Sequence, residues 1–130
     1  MFRLVKVLNG NTQGEVKRID SPQNALYLRG EAVISSGGSI ATPTALSVPD
    51  YIYLSYSTAS HPGKIYVLLV TENSVFKVEY VGAIKPYVGM PVGLATHKYR
   101  MDAVTYNSNG KGTVIDVDDT GEFVLVRFRK

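Results

Sequence analysis

The feature that most constrains this chain is its density of β-forming side chains, broken at short intervals by turn residues. Val, Ile, Tyr, Phe and Thr number 17, 7, 9, 4 and 9, together 46 of 130 residues, and 12 Gly and 6 Pro punctuate them. Branched and aromatic side chains pack well on a pleated surface and lose rotamer freedom in a helix. Period-two alternation between turn signals places eight to ten short strands, at 2–8, 25–29, 32–35, 50–57, 64–71, 75–82, 87–94, 100–106, 113–117 and 123–130, while the polar stretch 9–24 reads as a loop or extended arm with at most a short strand near 16–19. The best hairpin joins 64–71 to 75–82 through Glu72-Asn73-Ser74, and NSNGKG and DDTGE read as hairpin loops with glycine at positive φ. Pro91 interrupts 87–94 and assigns it to a sheet edge. Ser21-Pro22 resembles a helix cap, but the β-prone ALYL that follows opposes a helix.

The fold class expected is all-β: a small β-barrel or sandwich-like domain of short antiparallel strands with an extended N-terminal segment. The chain length suits one domain. Residues 1–24 read as an N-terminal arm or edge strand and 25–130 as a single β-rich domain.

Several function classes find no support. With no cysteine, thiolate metal sites, disulfides and cysteine nucleophiles are excluded. His61 and His97 are the two histidines, each read as a surface residue rather than a base. The acidic stretch DVDDTGE, taken from Asp116 as a calcium loop, puts Thr120 fifth, Gly121 sixth and Arg127 where the bidentate glutamate belongs; it reads as an acidic turn. No phosphate loop and no G-x-S-x-G elbow appears; separated carboxylates could converge in space, but nothing in their spacing points to a catalytic pair. The expectation is a non-enzyme with no cofactor and no metal. The longest apolar run, IYVLLV, is far below the roughly 20 residues of a membrane span, and Arg3 and Lys6 interrupt any leader-like start. A net charge of +3 argues weakly for a polyanion. Basic-aromatic stretches at 97–106 and 126–130 allow a small-barrel binder of single-stranded nucleic acid, although Arg127 and Arg129 alternate as on an ordinary solvated strand face.

Two features point toward an interaction surface. From Ala32 to Gly63, 32 residues carry one formal charge, Asp50. Charge depletion is typical of interface cores, and equally of a Gly/Ser/Thr-rich loop beside a buried strand. Several strands are also apolar on both faces: Ile65, Val67 and Leu69 oppose Tyr66, Leu68 and Val70, while Val124, Val126 and Phe128 oppose Phe123 and Leu125. A barrel has one interior, so the outer residues need a loop, an arm or a neighbouring subunit to cover them.

The ordered series GEAVISSGGSIATPT (30–44), PDYIYLS (49–55), KIYVLLVT with VFKVEYVG, VGMPVGLA (88–95) and KGTVIDVDDTGEFVLVRF (111–128) resembles the small β-rich decoration (cement) proteins of tailed-bacteriophage capsids. The resemblance implies a structural virion protein, made in the host cytoplasm, that binds the capsid exterior and stabilises the shell. Its partner would be the major capsid protein, and it would act as a homo-oligomer, a homotrimer being favoured. It implies no membrane, no reaction and no cofactor. Such proteins often contact the lattice through an N-terminal arm; no family motif stands in that segment here, so the segment carries over and individual residues do not. The interface residues expected are Phe2, Arg3, Leu4 and Lys6 in that segment and Ile34, Ile40, Tyr51 and Tyr53 in the charge-poor stretch. Another virion role (tail, head-completion or fibre-base) is the alternative beside the nucleic-acid reading.

Overall fold

The computed structural model describes residues 1–8, 14–20, 27–56, 64–97 and 100–129. These form eleven strands and no helix: β1 Arg3–Val7, β2 Val16–Asp20, β3 Ala32–Ser36, β4 Ser39–Ala41, β5 Tyr51–Tyr56, β6 Lys64–Leu69, β7 Ser74–Tyr80, β8 Pro91–His97, β9 Arg100–Tyr106, β10 Gly112–Val117 and β11 Phe123–Phe128. The chain is all-β, as its side-chain composition requires.

Strands β7, β11, β10, β8 and β9 close into a small barrel, sealed by a parallel β7–β9 seam of two residue pairs, Glu79↔Ala103 and Tyr80↔Val104. β1 pairs antiparallel with the earlier half of β7. The remaining strands make a second sheet in the order β2-β6-β5-β3-β4. The N-terminal segment therefore supplies an edge strand to each sheet rather than a detached arm.

Two apolar cores follow. The larger fills the barrel and the space between it and the second sheet; Phe76, Val78, Tyr80, Val124, Val126 and Phe128 meet Ala32, Ile52, Leu68 and Val70 there. The smaller lies on the other face of the second sheet, where Val33, Tyr53, Ile65 and Val67 gather Ile19, Tyr27, Ile40 and Tyr51. The two-faced apolar pattern of β6 thus has its cover inside the chain: Ile65 and Val67 serve one core, Leu68 and Val70 the other. In β11 the alternation holds, with Val124, Val126 and Phe128 buried and Phe123 and Leu125 half-buried.

The strands and their pairings differ from expectation in five places. The 64–82 hairpin does not form: β6 pairs with β2 and β5, β7 with β1, β11 and β9. The turn at 71–74 instead hands the chain from one sheet to the other, and the Arg127 guanidinium ties it down by donating to the Glu72 carbonyl at 2.8 and 2.9 Å. NSNGKG is likewise no hairpin, since β8 lies between β9 and β10. The loop steps over β8 so closely that a Cβ on Gly110 would sit 2.1 Å from the Val92 carbonyl oxygen. Gly110 is needed for that approach, not for a positive φ; Gly121 in DDTGE does have φ +73°. Pro91 opens β8 instead of interrupting it, so its missing N–H is harmless and β8 pairs on both sides. The strand expected at 25–29 is absent at 27–29, where Leu28 and Glu31 close a turn; 25 and 26 lie outside the described residues. Between the strands expected at 32–35 and 50–57, where the uncharged SSGGSIATPTALSVP reads as a loop, a Gly37-Gly38 turn with φ of +54° and +84° creates the β3–β4 hairpin.

Candidate functional site

The residues expected at an interface occupy three different environments. Phe2 is 3% exposed, its ring 6.0 Å from Phe76 at 90° and 5.9 Å from Phe128. It is a core residue, and Leu4 packs partly against the same core. Tyr53, 4% exposed, is equally internal, its ring 5.9 Å from Tyr27. Both were expected outside because their segments looked peripheral, yet each sits where alternation turns it inward. Arg3 and Lys6 are exposed on β1; Ile34, Ile40 and Tyr51 are half-buried on β3, β4 and β5. These two surface groups belong to different sheets.

The charge-poor stretch consumes its own single charge. Asp50 Oδ2 accepts from the Ser35 amide at 2.8 Å, and the Asp50 backbone bonds to Val33 and Val70. Its loop then reaches the barrel: the Leu94 amide donates to the Ala45 carbonyl at 3.0 Å, and Ala45 and Asn107 both close on Gly93. Gly82 meanwhile lies against Thr105, and the Tyr80 hydroxyl donates to the Ile84 carbonyl at 2.5 Å. The 44–47 turn, the 81–90 connection and the end of β9 therefore meet at one end of the barrel. Leu46, Ile84, Tyr87, Val88 and Tyr106 are exposed there, Val88 by 66%. Sequence reasoning missed this apolar set. Its only local signal, Tyr87-Val88 between Pro86 and Gly89, resembles the start of a strand.

Burial raises the Tyr80 hydroxyl above its ordinary 10.0, a Tyr106 backbone hydrogen bond opposes this, and nearby Tyr87 adds to it. The acidic turn is self-contained. Thr120 Oγ1 donates to Asp118 at 2.9 Å and the Phe123 amide to Asp118 Oδ1 at 3.3 Å. Desolvation works to raise the Asp118 carboxyl, but hydrogen bonds from Thr120, Phe123 and Gly121 and the charge of Lys77 outweigh it and hold the group below 3.8.

Polar side chains converge elsewhere. Glu31, 5% exposed, accepts from Arg100 at 2.6 Å and from the Leu28 amide at 2.8 Å. Beside the parallel seam, Glu79, His97 and Asp102 come together from β7, β8 and β9. The Met1 ammonium donates to Glu79 and, at 2.6 Å, to the Asp102 carbonyl. Lys77 stands 5.1 Å from the Phe123 ring centre, on the neighbouring strand pair. Comparison with protein families, curated proteins and solved structures finds no match for this chain.

Proposed function

We propose that the protein is a structural virion component that binds the outer surface of a phage capsid and stabilises the shell. The observation that carries this reading is the apolar end of the barrel, Leu46, Ile84, Tyr87, Val88 and Tyr106, placed beside the charge-poor stretch. Exposed apolar residues on connections that are hydrogen-bonded to the barrel suit docking to a fixed partner. Burying them against neighbouring capsid subunits would oppose the separation that a packed genome imposes. Arg3, Lys6, Ile34, Ile40 and Tyr51 extend the candidate contact surface, and the homotrimer implied by the resemblance is read by light scattering.

The test is co-sedimentation with expanded, undecorated shells. The protein is expected to pellet with them at micromolar concentration, and Val88→Asp to abolish pelleting without lowering the melting temperature. Failure of the unmodified protein to pellet overturns the proposal. A tail, head-completion or fibre-base role is separated by imaging, since decoration recurs over the whole lattice. The nucleic-acid reading keeps less support: Arg100 is engaged by Glu31 and Arg127 by the Glu72 carbonyl. It requires oligonucleotide binding that weakens steeply with salt.

A further inference from the structure

Glu79, His97 and Asp102 lie far apart in sequence and share no motif, yet each offers one donor atom, all within 4.8 Å of one another. The register explains the meeting. Glu79 faces Ala103 across the parallel seam, which brings the neighbouring Asp102 alongside, and His97 pairs with Arg100 at the open end of the β8–β9 ladder. Asp102 Oδ1 is buried and has no hydrogen-bond partner among the described residues. A buried carboxylate oxygen without a partner is costly and calls for a water or an ion. The imidazole Nδ1 of His97 is 4.0 Å away, too long for a hydrogen bond; two bonds of about 2.0–2.2 Å at a tetrahedral angle span roughly 3.4 Å, so the two side chains would close by about half an ångström on an ion. The place also draws positive charge: the Met1 ammonium leans on Glu79 and lies 3.8 Å from Asp102 Oδ2.

We propose that Glu79, His97 and Asp102 form a binding site for a divalent transition-metal cation of the Zn²⁺ type. The mixed donor set decides the class. One imidazole nitrogen with two carboxylate oxygens suits zinc and its neighbours, whereas calcium and magnesium take oxygen alone. Three protein ligands leave a position for water, and the ion displaces the Met1 ammonium from Glu79. Because the ligands come from β7, β8 and β9, the ion pins the barrel where only two residue pairs close it. The site stands apart from the proposed docking surface and does not depend on it.

The experiment is a calorimetric titration of the full chain with zinc chloride in metal-free buffer, with melting curves recorded alongside. One ion per chain and a raised melting temperature are expected. His97→Ala and Asp102→Asn should each weaken binding by roughly tenfold or more, while His61→Ala, at the second histidine, leaves it unchanged. Cobalt(II) supplies a readout independent of stability, since its visible bands on the parent chain should vanish in both ligand variants. Circular dichroism without metal verifies that each variant is folded, and His97→Gln replaces His97→Ala if it is not. No saturable binding, binding that survives both substitutions, or calcium bound as tightly as zinc overturns the proposal.

Discussion

Replacing Phe2 by alanine separates an arm from a wall of the core. Phe2 is 3% exposed and wedged between Phe76 and Phe128, with its amide donating to the Gly30 carbonyl at 2.9 Å. The backbone bond survives the substitution; the ring does not. Truncating a buried phenylalanine to alanine costs about 3–5 kcal/mol, from lost transfer energy and a cavity that the surroundings refill only in part. Here both neighbours are large rings held on paired strands β7 and β11, so collapse is limited and a value near the upper end, about 4–5 kcal/mol, is expected. Against roughly 5–15 kcal/mol of total stability, that is a large fraction. With a urea slope of about 2 kcal/mol per molar, the midpoint should fall by about 2 M. Equilibrium urea unfolding followed by circular dichroism measures it. A loss under about 1 kcal/mol would show that the Phe2 ring is not packed as described, and would return 1–8 to the role of an arm.

Other substitutions test the packing and the turns. Val78→Ala and Val126→Ala, both fully buried, should each cost about 1–3 kcal/mol in thermal or urea melts while the protein stays folded. Gly110→Ala drives a Cβ into the Val92 backbone and should cost about 1–3 kcal/mol or more, whereas Gly37→Ala meets open space at φ +54° and should cost about 1–2 kcal/mol; a Gly110→Ala variant melting like the parent refutes the close crossing. Asp118 has a lowered folded-state value, so its stabilisation is present above 3.8 and is lost as pH falls through that lower value; Asp118→Asn should flatten acid unfolding in this window, and an unchanged acid limb would refute it.

Strand positions were legible because alternation and turn residues are local. Val124, Val126 and Phe128 face one way by geometry alone, and the buried set confirms it. Pairing was not legible. A three-residue connection between 64–71 and 75–82 satisfies the hairpin rule, yet β6 is apolar on both faces and needs a layer on each, which a barrel wall beside β7 cannot give it. The same reason removes the β9–β10 hairpin: β8 occupies the place between them, and nothing local in NSNGKG announces a step over another strand. The Glu79–His97–Asp102 cluster is invisible for the same kind of reason, since a parallel seam brings residues together without any sequence period. The apolar end of the barrel escaped because exposure, not hydrophobicity, distinguishes Val88 from its buried neighbour Met90.

The placement of β1 has a consequence for how the chain assembles during synthesis. Arg3 pairs with Lys77, and the Leu8 amide meets the Asn73 carbonyl at 2.9 Å, so the strands of the second sheet form an excursion that leaves the barrel and returns to the same spot. On a ribosome, residues 3–7 emerge well before β7 and must wait for this strand partner until it has left the exit tunnel. Meanwhile β3, β4, β5 and β6 can pair among themselves, since their partners are close in sequence. Phe2 is then a late arrival that docks on Phe76 and Phe128 once β11 exists. Until that moment an apolar N-terminal strand, Leu4, Val5 and Val7 included, is exposed with a bare edge. Pulse-labelled hydrogen exchange should show the amides of β5 and β6 protected before those of β1.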